Sequence, residues 1–268
     1  MKFAKVLLLA GLAATSSPAG VVLKASVTDV AGNKTSEMVM FIDEARLRVD
    51  TKAADVDASM ILLFAGDDYQ LILLDRKENQ YQVMDRKTAA RINQAVSSAM
   101  AQMEEQLRQL PPEQRAMVEK MMGKKLGAAP KAPETPPITY RAAGAGSAGG
   151  RPCKKYEAYQ GPEKISELCA VPLDAIGLSS QEMAVFEKVA TAMDDLTRSM
   201  RRHLDLGSIQ SAVAAGRIDG FPVEQVIFQK GRPSTRMEFY ASEQRTLTDA
   251  DFSTGNAKRI ELPKLPTP

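Results

Sequence analysis

The stretch that most constrains the fold runs from Ser59 to Asp85, where short apolar runs alternate with polar turns. Met60 to Ala65 and Gln70 to Leu74 are separated by Gly66-Asp67-Asp68, which is turn chemistry typical of a β-hairpin. A second polar turn precedes the apolar run Tyr81 to Met84. Because a sheet of this kind must cover its apolar face, and the chain then enters a helical pattern, the sequence predicts strands packed against helices.

The residues before this stretch extend the sheet. Gly20 to Val30 and Ser36 to Ile42 alternate apolar and polar residues on either side of a turn, which predicts an opening hairpin. Ala45 to Val49 alternates in the same way and predicts a third strand. About six antiparallel strands therefore precede the first helix, and a sheet of this length tends to curl.

Helical periodicity begins at Arg86. Apolar residues then recur at intervals of three and four, namely Ile92, Val96, Met100, Met103, Leu107 and Leu110. Pro111-Pro112 ends this helix, and a second one ends at Gly123, so the sequence predicts a Met-rich helical hairpin over about 86–123. Another long helix is predicted over Ser179 to Asp205, with Ser179 as its cap. The fold class is α+β, a curved antiparallel sheet covered by long amphipathic helices.

The middle of the chain is rich in Ala, Pro and Gly. Gly127 to Pro137 and Ala142 to Gly150 predict a flexible linker over about 127–150, which flanks a short strand around Ile138 to Arg141. Residues 20–261 are predicted to form a single α+β domain, and 262–268 a Pro-rich, loose tail.

The N-terminus has the regions of a secretory signal peptide over residues 1–19, with cleavage before Gly20. The apolar run Val6 to Ala14 is too short to span a bilayer, so no membrane-spanning segment is expected after cleavage. Lys2 and Lys5 account for the whole excess of 35 basic over 33 acidic residues. The neutral remainder argues against nucleic-acid binding, and the expected location is the periplasm or the extracellular space.

The chain has two cysteines, Cys153 and Cys169, which lie at equal distances in sequence from Gly161. Gly161-Pro162 separates two strand patterns, so the cysteines are near neighbours across a predicted hairpin. In an oxidising compartment they should form a disulfide.

The sequence predicts no catalytic site, no cofactor and no metal. The single histidine, His203, sits among charged residues near a predicted helix end, where surface histidines are common. Asp249 to Gly255 begins like a calcium loop, but its glycine comes one position late and no glutamate closes it. A polar surface turn is therefore predicted there, and the protein is predicted not to be an enzyme.

The strand and helix patterns together predict an apolar groove between sheet and helices. Its candidate lining residues are Met60, Leu62, Phe64, Leu71, Leu73, Ile92, Val96, Met100 and Met103. Such a groove suits a lipid, an acyl chain or a hydrophobic peptide. The alternative is a structural or chaperone-like interaction protein without a small-molecule ligand. The Met-rich helices are open to three interpretations: core, client binding or copper binding.

Three short motifs carry a resemblance to a known family. They are Asp75-Arg76-Lys77 with Tyr81, the run Leu110 to Met122, and Cys153-Lys154-Lys155-Tyr156-Glu157. In this order the chain resembles a bacterial family of exported proteins with a domain of unknown function. That family is similar in fold to the periplasmic lipoprotein carriers LolA and LolB, which implies a half-barrel and a Gram-negative envelope location. The resemblance implies no catalytic residue.

Overall fold

The computed structural model of the protein describes residues 19–111, 114, 136–197 and 218–261. Within these ranges the chain forms one sheet of twelve strands, two α-helices and two short 3-10 turns. The strands are β1 Ala19–Asp29, β2 Lys34–Ile42, β3 Arg46–Lys52, β4 Asp57–Ala65, β5 Asp68–Asp75, β6 Gln80–Asp85, β7 Ile138–Ala148, β8 Arg151–Gln160, β9 Glu163–Val171, β10 Phe221–Gln229, β11 Arg232–Thr246 and β12 Lys258–Arg259. The helices are α1 Arg86–Gln109 and α2 Ser180–Thr197, and the 3-10 turns are Leu173–Ile176 and Asp249–Phe252.

Two antiparallel meanders build the sheet, one from β1 to β6 and the other from β7 to β11. They join where β1 pairs with β11, so that Ala19 faces Thr246 and Asp29 faces Thr235. β12 pairs in parallel with β6, and β12 and β7 are the two edges. The prediction of six antiparallel strands before the first helix is confirmed, and the sheet is large, curved and open.

Successive residues of a strand point to opposite faces, so each face of the sheet has its own core. We call one the helix face; its strand residues Leu23, Leu47 and Leu62 share a buried cluster with Val185, Phe186 and Val189 of α2. We call the other the strap face; its residues Val22, Ile61 and Ile72 share a buried cluster with Leu247 and Phe252 near the C-terminus. The two faces are therefore closed by different parts of the chain.

Among the residues that the structure describes, helical cover is less extensive than the sequence predicts. The predicted cap Ser179 is confirmed, because Glu182 N–H lies 3.4 Å from Ser179 Oγ and Ser179 N–H donates to Glu182 Oε2 at 2.7 Å. Of the α1 side chains that the structure describes, Ala89 alone is fully buried. A helix with its side chains is about 10–12 Å wide, whereas twelve strands spaced about 4.8 Å apart are roughly 50 Å across. Two helices are too narrow to cover such a sheet.

The prediction of a flexible linker over about 127–150 is wrong for its second half. Instead, the predicted short strand at Ile138 continues as β7 to Ala148, paired with β8 along its length. A Cβ at Gly146 would meet the side chain of Lys155, which is exposed and can move aside. Gly144 adopts φ 97° at a bulge between Ala142 and Ala145, a conformation that favours glycine. The composition therefore reflects a bulged edge strand, and residues 127–135 lie outside the described ranges.

Several predicted segments lie outside the described residues. These are the signal peptide except for Ala19, the second helix of the Met-rich hairpin except for Gln114, the helical prediction beyond Thr197 with His203, and the tail 262–268. Those predictions stay predictions.

Candidate functional site

An open groove of about 550 Å³ lies on the helix face, close to the edge formed by β6 and β12. Its lining comes from strands β3 to β6, the β3–β4 turn and Ile260, and is mainly apolar. The volume is within the range of pockets that hold small molecules, about 300–1,000 Å³. The groove is therefore the candidate functional site.

Two cross-strand rows form the floor of the groove. The first row is Val49, Met60, Leu73 and Gln82, and the second row is Thr51, Ala58, Asp75 and Gln80. In the first row Leu73 is 43% exposed, although Leu71, two residues earlier on the same face, is buried. The cover over the helix face thus ends between these two leucines, which leaves an apolar surface open beside a polar row.

The groove contains two of the nine predicted lining residues, Met60 and Leu73. Leu62 and Leu71 lie one row further on the same face and are buried, and Phe64 is half-buried against the same cluster. On α1, Ile92 and Met103 are half-buried. The side chains of the remaining two, Val96 and Met100, lie outside the described part of the structure. The five predicted strand residues therefore lie together on the helix face, and the groove lies at one end of that set.

Sequence reasoning missed several apolar lining residues, and Val49, Val56 and Ile260 show the different reasons. Val49 belongs to a predicted strand, and its register opposite Met60 gives the signal that could have found it. Val56 lies in a turn and is 44% exposed, so no periodic pattern includes it. Ile260 is distant in sequence from every other lining residue, and local patterns carry no information about it.

Ile260 reaches the groove because residues 258–260 pair with β6. Lys258 N–H donates to Asn79 O and Ile260 N–H donates to Tyr81 O, both at 2.9 Å. We call residues 247–260 the C-terminal strap, because they begin on the strap face and end at the groove on the helix face.

Three arginines hold the strap against its face. Arg48 Nη1 donates to Asp251 O at 2.6 Å, and Arg245 Nη2 to Asp251 Oδ1 at 2.7 Å. Arg46 Nη1 donates to Asp249 Oδ1 at 2.7 Å, and its guanidinium carbon lies 4.2 Å from the centre of the Phe252 ring. The Asp249 carboxylate is fully exposed and its ion pair adds little, so the attachment rests mainly on the half-buried Asp251 and the buried Phe252 ring.

The carboxylates of the predicted surface turn have a structural role. Asp251 accepts from Thr248 N–H at 2.8 Å and closes a capping box. This hydrogen bond, with that from Arg245, lowers the pKa of the Asp251 carboxyl below its ordinary value. Both oxygens of Asp251 therefore bind the protein's own donors.

The predicted disulfide is present. Cys153 on β8 and Cys169 on β9 are bridged, with their Cα atoms 5.5 Å apart, and both are buried. The register shifts by one residue near Ala158, so Cys169 directly opposes Lys155 and reaches Cys153 along the diagonal. The bridge ties the two strands on the helix face, away from the groove.

The part of the chain that the structure describes contains no group of three or more His, Cys, Asp or Glu residues that could hold a metal ion. Neither of its α-helices is long and apolar enough to cross a membrane.

No protein-family model matches the sequence, and no curated protein matches it. Among solved structures, an uncharacterized conserved protein from Thermus thermophilus matches with a TM-score of 0.42 and 9% identity, over 90% of each chain. The Pseudomonas aeruginosa MucA/MucB complex matches with a TM-score of 0.38 and 10% identity, over 92% of this chain and 59% of that chain. Both the TM-scores and the identities are low.

Proposed function

We propose that this protein binds the acyl chain of a lipid in the groove, and that it acts by binding and not by catalysis. The observation that carries the proposal is the exposed Leu73, which lies between the buried row of Leu62 and Leu71 and the polar row of Asp75 and Gln80. Val49, Ala58, Met60 and Leu73 form the apolar part of the floor, and methionine adapts to flexible apolar guests. An apolar surface of this kind, left open and rimmed by polar residues, is typical of a binding site.

An acyl chain suits the groove better than a hydrophobic peptide. A bound peptide needs partners for its backbone N–H and C=O groups, which are costly to bury unpaired. The floor is the face of a sheet, whose backbone groups already pair between β3, β4, β5 and β6. An acyl chain has no polar groups to satisfy, so it gains apolar burial without this cost.

The polar row suggests where the head group lies. Asp75 and Gln80 stand at one end of the second row and Gln82 at the same end of the first, and the described lining contains no Lys, Arg or His. A neutral head group with hydrogen-bonding atoms fits these side chains, whereas an anionic one meets the Asp75 carboxylate. The proposed ligand is therefore an amphiphile with an aliphatic chain and an uncharged head.

The proposal places the protein in the bacterial envelope, as the resemblance to the exported family with a LolA- and LolB-like half-barrel implies. The disulfide Cys153–Cys169 supports this, because such bridges persist in oxidising compartments. The open, curved sheet supports the half-barrel.

Binding of a dansyl-labelled fatty alcohol, followed by fluorescence titration, tests the proposal. Saturable binding is expected, and Leu73→Glu should raise Kd at least about tenfold, since it places a charge in the apolar row. Val30→Glu is the matched control, because Val30 is an exposed aliphatic residue (46%) in the β1–β2 turn. Absence of saturable binding, or equal binding by Leu73→Glu, would contradict an acyl-chain site. Suppression of client aggregation by protein that binds no probe would instead support the chaperone-like alternative.

A further inference from the structure

The C-terminal strap contacts both faces of the sheet. Leu247 and Phe252 are buried in the strap-face cluster beside Val22 and Ile61. The chain then passes the edge strand β6, and Ile260 lines the groove on the helix face. One short segment thus joins a closed core to an open site.

The attachment at the edge is much weaker than the attachment on the strap face. β12 is two residues long, and the backbone amides of Lys258 and Ile260 bind it to the edge of the sheet. Exposed backbone bonds of this kind compete with water and stabilise little on their own. On the strap face, three guanidiniums and the buried Phe252 ring hold the segment. The position of Ile260 therefore depends on the strap-face anchor.

We propose that Ile260 contacts the acyl chain, and that the cluster of Phe252 with Arg46, Arg48 and Arg245 positions Ile260 from the opposite face of the sheet. Phe252 and the arginines are positioning residues, since they act through the strap and do not line the groove. The role of Ile260 as a ligand contact rests on the proposed function, whereas its placement by the anchor does not. Changes on the closed face should therefore alter the open site.

A double-mutant cycle with the dansyl-labelled fatty alcohol tests this coupling. Ile260→Ala should raise Kd about fivefold, and Phe252→Ala should raise it about as much, because it releases Ile260. The double variant should stay near fivefold, because the second change removes a contact already lost. Independent effects would instead multiply to roughly 25-fold and overturn the proposal. Phe228→Ala is the matched control, because Phe228 also packs under a cation, Lys164, on a remote strand; it should bind as the wild type.

Hydrogen exchange at the Ile260 amide tests the positioning without a ligand. We expect this amide to be protected in the wild type, and protection to fall at least about tenfold in Phe252→Ala. Should Phe252→Ala not fold, Arg48→Gln provides the milder change, with Arg236→Gln as its exposed control. Unchanged protection in a folded anchor variant overturns the positioning role. A wild type that binds no probe contradicts the acyl-chain site and the Ile260 contact, while the exchange result still decides the positioning.

Discussion

Strands β3 to β6 have two faces that differ in how far other parts of the chain cover them. On the strap face, Ile61 and Ile72 are buried under Leu247 and Phe252. On the helix face of the same strands, Leu73 is exposed and the neighbouring Met60 is half-buried. Strand alternation supplies apolar residues to both faces, so alternation alone does not distinguish core from binding site. What distinguishes them is whether another part of the chain lies on top.

The largest expected effect compares truncations on the two faces. Ile61→Ala removes a fully buried side chain and should reduce the free energy of unfolding by about 3 kcal/mol. Leu73→Ala, one strand away, should reduce it by less than about 1 kcal/mol, since its side chain is already exposed. Urea unfolding followed by circular dichroism measures both. Equal losses would mean that Leu73 is covered in solution, and the groove would then be part of the core.

How much of the fold the sequence predicts depends on whether the contacts are local or join distant segments. The hairpins of β4 to β6 and of β8 to β9 were predicted because their turns and apolar alternation are local, and the disulfide followed from the second hairpin. The pairing of β1 with β11 joins residues at opposite ends of the chain, and β12 reaches β6 across most of it. No local pattern encodes such contacts. Ile260 and the strap were therefore missed.

The groove shows the same division between local and distant information. The shared face of Met60, Leu62, Phe64, Leu71 and Leu73 follows from alternation and register, and was predicted. Which of these side chains are exposed depends on where the covering segments end, and those segments are distant in sequence. The sequence did not reveal β7 for a different reason, since its Gly and Ala residues form a bulged edge strand instead of a flexible linker.

Lowering the pH should have a smaller effect on the free energy of unfolding, through Asp251 on the strap face. The pKa of Asp251 is lowered in the folded state, so its contribution to stability is present above its unfolded pKa of about 3.9 and is lost as the pH falls through the folded value. Near pH 6, Asp251→Asn should cost about 1 kcal/mol, because the charge facing Arg245 is lost.

Thermal unfolding at about pH 6 and about pH 3 measures this titration. The stability difference between wild type and Asp251→Asn should shrink at the lower pH, because the unfolded state binds a proton there more readily than the folded carboxyl, whose pKa is lowered. Asp55→Asn, which removes an exposed carboxylate in the β3–β4 turn, is the control. A difference that stays constant across this range would mean that the carboxylate charge does not anchor the strap.

The smallest expected effect concerns the head group at the open face. Amphiphiles with the same aliphatic chain and either a hydroxyl or a carboxylate head should differ in Kd by about two- to fivefold, with the hydroxyl form binding more tightly. The reason is the Asp75 carboxylate at the polar row, which is half-buried and partly screened by water. Asp75→Asn should remove the preference while leaving the affinity for the hydroxyl form nearly unchanged. If the carboxylate form binds more tightly, a cation beyond the lining would be the cause. Lys77 in the β5–β6 turn is one such cation, and its ammonium donates to Ala54 O at 3.1 Å.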